Sequence, residues 1–289
     1  MGLGTTLLLG LIAGVTILIG LPVGRLRRPA PSLRAFLNAA AVGVLLFLVW
    51  DVLSAAWEPI DTRLASVHTG HGGLGTAVSD GLIAVLGLSL GLVSLVQYER
   101  WMGRRVVRTA RPIGPGAMTV GEFEASGVAG WSTARRLSLL IAVGIGLHNF
   151  AEGLAIGQSA ASDEIALAVM LVIGFGLHNA TEGFGIVAPL AADVDEHGAH
   201  RRPSWGFLLM LGAIGGGPTF VGTLVGHGFT SEPVSIAFLT LAAGSLIYVI
   251  TQLIGVAARA RRSDLLAYGI LVGMVAGFLT DAIVTAAGV

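Results

Sequence analysis

The chain has 289 residues and no formal net charge, with 54% of its residues hydrophobic and only 12% charged. An average soluble domain carries about 25% charged residues, and here the mean hydropathy is +0.83 with no cysteine. These values exclude a disulfide scaffold, a disordered chain and a nucleic-acid-binding surface, and they leave a polytopic membrane protein.

A helix needs about 20 apolar residues to cross a hydrocarbon core of ~30 Å. Eight stretches meet that length, at residues 3–23, 35–57, 77–98, 137–160, 165–190, 205–229, 233–258 and 265–287. Strands of a membrane barrel would alternate with period two. The uncharged run from Pro233 to Ala258 shows no such alternation. The expected fold class is all-α, one eight-helix membrane domain embedded in a lipid bilayer. The first Arg, Arg25, follows the first apolar run, whereas a secretory signal carries its charge before it, so residues 3–23 are expected to be a span. Residues 99–136 mix Arg, Gly and Pro with Glu122 and Glu124 and are expected to form a flexible cytoplasmic loop.

All 17 basic residues are Arg. Eight spans place Arg25 to Arg34, Arg100 to Arg136, Arg201 and Arg202, and Arg259 to Arg262 on one side, and only Arg63 on the other. The positive-inside rule assigns the Arg-rich side to the cytoplasm. Both termini are then extracytoplasmic, and the cell membrane is the expected location.

Two adjacent spans carry nearly the same phrase. Span 4 reads Gly146-Leu147-His148-Asn149-Phe150-Ala151-Glu152-Gly153, and span 5 repeats it 30 residues later as Gly176-Leu177-His178-Asn179-Ala180-Thr181-Glu182-Gly183. In each, His and Glu stand at i and i+4 and share one helix face, with Asn one residue round. A short connection near 161–164 makes the two helices antiparallel, and both motifs fall near mid-membrane. A carboxylate there costs on the order of 2.5–3.5 kcal/mol. A divalent cation offsets that cost, because ionised Glu and neutral His are its binding forms. Nitrogen and oxygen donors without sulfur suit Zn²⁺, Fe²⁺, Mn²⁺ or Co²⁺ and argue against Cu⁺. The alternatives for the repeat are interhelical hydrogen bonding and a bis-His haem site, which would leave the Glu residues without a use.

At these residues the chain resembles the ZIP (Zrt/Irt-like) family of divalent metal transporters, and the resemblance extends over all eight spans. It implies a main transport site of His148, Glu152, His178 and Glu182, with Asn149 and Asn179 flanking it and shared with a second site. It also implies a moving bundle of helices 1, 4, 5 and 6 against a scaffold of helices 2, 3, 7 and 8 that forms a homodimer. Three positions depart from the family pattern. Ala151 and Thr181 stand where Pro often precedes the Glu. Gly217, before Pro218, stands where a carboxylate would complete the second metal position, so a single well-formed position is expected.

The remaining polar residues are secondary candidates. Asp51 in span 2 is a pathway candidate, while Asp281 in span 8 is expected at the outer interface and Asp80 in solvent. His68, His71 and Asp61 lie in the expected outer loop, and His227 near the outer end of span 6. Asp193, Asp195, Glu196, His197 and His200 cluster after span 5, with His197 and His200 as candidate release residues. The expected function is passage of a divalent metal into the cytoplasm by alternating access, with zinc first, then iron, manganese, cobalt or cadmium. No cofactor and no enzyme activity are expected, and no nucleotide-binding G-x-x-x-x-G-K-[ST] is present. The rival is an intramembrane zinc hydrolase, although the H-E-x-x-H of metalloproteases is missing.

Overall fold

The computed structural model describes residues 1–26, 31–69, 72–109, 127–162, 165–194, 199–228, 231–258 and 261–286. Among these residues the helices are α1 (Leu3–Val15), α2 (Pro31–His68), α3 (Leu74–Thr109), α4 (Thr133–Ala161), α5 (Ile165–Val187), α6 (Trp205–Gly228), α7 (Glu232–Ala258) and α8 (Ser263–Ala286). Tight 3₁₀ turns prolong α1 through Thr16–Ile19 and Leu21–Arg25, and α5 through Ala188–Ala192. All eight segments are long and apolar enough to cross a membrane. The one extended pairing among the described residues is a bridge between Val194 and His200.

Two helices outrun the expected spans. α2 continues through Pro59 to His68, because Arg63 on its last turns is tied to Asp80 of α3 and, at 2.7 Å, to Glu232 of α7. Asp80 is therefore buried rather than solvated, and His68 and Asp61 are helical rather than in a loop. α3 extends to Thr109, so the expected 99–136 loop begins as helix. Glu99 anchors the extension by accepting hydrogen bonds from Tyr248 Oη at 3.0 Å and Gln252 Nε2 at 3.3 Å. Residues 110–126, His71, Asp195, Glu196 and His197 lie outside the described residues.

Glycine sets how closely the helices approach. A Cβ at Gly153 of α4 would collide with the carbonyl of Thr219 in α6, and one at Gly222 of α6 with the carbonyl of Phe150. Such backbone-to-backbone contact needs small residues, since lipid gives helices no hydrophobic reason to associate. The same kind of contact joins Gly183 of α5 to Ile17 and Gly20 after α1, Gly273 of α8 to Ala40 of α2, and Gly244 of α7 to Leu88 of α3. These pairs obey an exchange of α1 with α6, α2 with α7, α3 with α8 and α4 with α5. The α1–α5 contact becomes α6–α4, and α2–α8 becomes α7–α3. α4 and α5 exchange with each other, and they carry the two copies of the duplicated phrase.

α4 is the most enclosed helix, with 78% of its central window buried, against 17% for α8 and 22% for α3. Leu, Ile and Val of α2, α4, α6 and α7 make the largest core cluster, while α3 and α8 turn Leu82, Leu86, Leu271 and Leu279 outward. Gly153→Leu is expected to overpack the α4–α6 contact at a cost of about 1–3 kcal/mol or more. A thermal melt of the detergent-solubilised protein checks this: Gly153→Leu should lower Tm, whereas Gly206→Leu, where a Cβ meets open space, should leave it unchanged.

Candidate metal centre

The i, i+4 spacing on α4 puts His148 Nε2 at 3.0 Å from Glu152 Oε1. α5 crosses so that His178 Nε2 contacts the same Glu152 Oε1. His148, Glu152 and His178 each offer one donor atom, all within 4.8 Å of one another. Donors around one tetrahedral zinc stand about 3.4 Å apart, given bonds of ~2.0–2.2 Å, so small rotations bring these three onto one ion. Glu182 is next to them, with Oε1 at 4.0 Å from His148 Nε2. The two halves of the repeat thus converge, as their spacing implies.

The two Asn residues differ. Asn149 donates to Glu182 Oε2 at 3.2 Å and to the carbonyl of Gly215 at 2.9 Å, so it holds the second carboxylate. Asn179 turns toward α1 and donates to the carbonyl of Ala13 at 3.1 Å. Each keeps its side-chain oxygen buried and without a partner among the described residues, as do Glu152 Oε2, Glu182 Oε1 and His148 Nδ1. Leaving buried polar atoms unpaired costs about 1–3 kcal/mol each. So many in one place fit a set of donors for a cation.

Helix 6 meets this cluster differently from the sequence expectation. Gly217 faces outward, and a Cβ there would meet open space. A carboxylate at 217 would leave the cluster, so the absence of one there says nothing of a second metal position. The group from α6 at the cluster is the carbonyl of Gly215, one turn before Pro218. A backbone carbonyl leaves no mark in the residue types, although Pro218 does signal a weakened turn, having no N–H for Ile214. Ala151 and Thr181, where the family often has Pro, sit in continuous helix. The Thr181 hydroxyl donates back to the carbonyl of His178 at 2.7 Å.

A cavity of about 480 Å³ reaches the cluster. Its wall includes His148, Glu152, His178, Thr181, Asp51 of α2, and Thr280 and Asp281 of α8. The other lining residues lie level with the cluster or toward the end that holds Arg63, Glu232 and the N-terminus, whose ammonium group donates to the carbonyl of Ala160. Asp281 is therefore a cavity residue rather than an interfacial one. Phe175 packs its ring 5.5 Å from that of His178. Pro59 strips Ala55 of its helical N–H partner, and Ala55 also lines the cavity. Pro59 is a signal the sequence reading passed over.

The opposite end is shut by polar ties. Asp193 is buried and pairs with Arg135 at 3.0 Å, while its carbonyl accepts from Arg201 N at 2.8 Å. Arg25 donates to the carbonyl of Pro203 and stacks 4.8 Å over the Trp205 ring. Arg34 reaches His200 Nε2 at 3.2 Å. Asp193 and His200 thus hold the end together instead of lying free in solvent. His227 is partly buried with Nδ1 unpartnered.

Glu152 bridges both imidazoles, so Glu152→Ala should weaken equilibrium Zn²⁺ binding by roughly 100-fold or more. Gly217→Ala, on the outer face, should leave it within about twofold. Isothermal titration of the purified protein checks both. Comparison with known proteins returns no family model and no curated protein that matches this chain.

Proposed function

We propose that the protein carries divalent transition metals across a membrane, zinc foremost, with His148, Glu152, His178 and Glu182 as the transient site. One observation carries the reading. Buried imidazole and carboxylate donors, several unpaired, lie at the floor of a cavity that extends toward one end, while ion pairs and hydrogen bonds close the other. A site facing one end at a time is what alternating access requires. The Arg-rich end is the cytoplasmic one by the positive-inside rule, so the cavity faces outward and metal moves inward across the cell membrane. Asp51 and Asp281 line the access route and attract the ion. His200 and the residues around it stand at the release end. The repeat, the spans and this closure together favour a transporter resembling the ZIP family. A homodimer through the outward-facing α3 and α8 belongs to the same reading.

The rival reading, a zinc hydrolase, has one point in its favour: three donors beside a cavity leave a position open for water. Flux separates the two. Proteoliposomes holding a zinc-sensing dye should fill with Zn²⁺ in the presence of wild type. Glu152→Ala and Glu182→Ala should each reduce the initial rate by roughly tenfold or more. No flux by wild type that still binds zinc would favour the hydrolase.

A further inference from the structure

The α2–α5 seam does not end at the metal centre. Ala41 of α2 lies against Gly185 of α5, where a Cβ on Gly185 would meet the Ala41 Cβ at 3.7 Å and Leu253 Cδ1 at 3.2 Å. Beyond that thin layer, toward the Arg-rich end, is a second void of about 20 Å³. It is lined by Val23, Gly24, Arg34, Asn38, Val187 and Ala188, with three further apolar side chains. A void of that size takes one water-sized guest, given the threshold of about 10–15 Å³. Ala188 is six residues past Glu182, about 9 Å along the helix axis.

Two polar atoms of residues that line this void have no partner among the described residues. Asn38 is 3% exposed and spends its amide hydrogen on the carbonyl of Leu253 at 3.0 Å, leaving Oδ1 bare. Arg34 is held across the seam by the carbonyl of Leu26 at 3.0 Å and by His200 at 3.2 Å, with Nε buried and unpaired. An oxygen acceptor and a fixed positive charge therefore share one small void on the line of the path. A guanidinium there repels a passing cation for as long as its two tethers hold it. If it swings out of the void, Asn38 Oδ1 is left there as an unpaired side-chain acceptor among the described residues, and hard or borderline divalent ions accept such oxygen donors.

We propose that this void is the collapsed release half of the path, with Asn38 Oδ1 the donor that receives the ion after Glu182 and Arg34 the charged stopper that withdraws. The proposal rests on the transport reading above. It adds a binding residue on α2 and places the closure of the path at Ala41 and Gly185, where small side chains let a slight shift open the seam.

The test uses the full chain in proteoliposomes with Zn²⁺ as the probe. Asn38→Leu should slow uptake at least tenfold while the purified protein still takes one equivalent of Zn²⁺ at the His148, Glu152 and His178 centre, and Asn38→Asp should restore uptake. Because the chain has no cysteine, Ala188→Cys gives a single thiol in the void that is independent of how Asn38 variants fold. An impermeant maleimide added at the Arg-rich end should label it several-fold faster during Zn²⁺ flux than at rest. Wild-type uptake by Asn38→Leu, or labelling of Ala188→Cys that flux does not change, would overturn the proposal. Loss of both binding and uptake in Asn38→Leu makes the residue structural and overturns its role as donor. Absence of uptake by wild type would instead refute the transport reading itself.

Discussion

Everything in this molecule answers to one cost, that of keeping carboxylates in the middle of a bilayer. Glu152 and Glu182 lie at the most enclosed place in the bundle, where an ionised group is expensive unless something compensates. Glu152 meets that cost with two imidazoles, one from its own helix and one from α5. Glu182 meets it in part through Asn149. What remains unpaired among the described residues, His148 Nδ1, Glu152 Oε2 and Glu182 Oε1, is matched in chemistry to a divalent cation. A site assembled only for stability would have paired those atoms or replaced them with leucine.

The duplicated phrase and the pairing of the helices are arranged about the same two elements, α4 and α5. Exchange of α4 with α5 maps the His-Asn-x-x-Glu-Gly phrase onto itself, and the α1–α5 and α2–α8 contacts onto α6–α4 and α7–α3. The glycine contacts between α4 and α6 and between α5 and the turns after α1 join smooth backbones rather than interlocked side chains. The ties at the Arg-rich end, Arg135 with Asp193 and Arg34 with His200, are polar and few, which suits contacts that break and re-form.

The fold was legible in the sequence to a large degree because lipid imposes it. Eight apolar runs became eight helices, with boundaries off by a few residues where membrane length was the criterion. The larger errors came where water and ion pairs take over. α3 runs on past the apolar stretch as an Arg-rich helix anchored by Glu99, and α2 runs on because Arg63 is pinned by Asp80 and Glu232. Hydropathy carries no information on either contact. The centre was legible in its side chains, since i, i+4 spacing in two neighbouring helices leaves His and Glu little choice of face. It was illegible in its backbone. The carbonyls of Gly215 and Ala13 decide how Asn149 and Asn179 point, and no residue type announces them. Gly217 shows the reverse hazard: alignment with a family pattern placed it at the metal, and the rotation of α6 turns it to the outside.

The most direct measurement is the zinc absorption edge and its fine structure, recorded on the purified protein loaded with one equivalent of Zn²⁺. The account predicts only nitrogen and oxygen neighbours at about 2.0–2.2 Å, with the outer-shell scattering of two imidazoles. In His178→Ala that signature should fall to one imidazole. A spectrum without imidazole scattering, or one that His178→Ala leaves unchanged, would contradict the assignment of the duplicated motif as the metal centre.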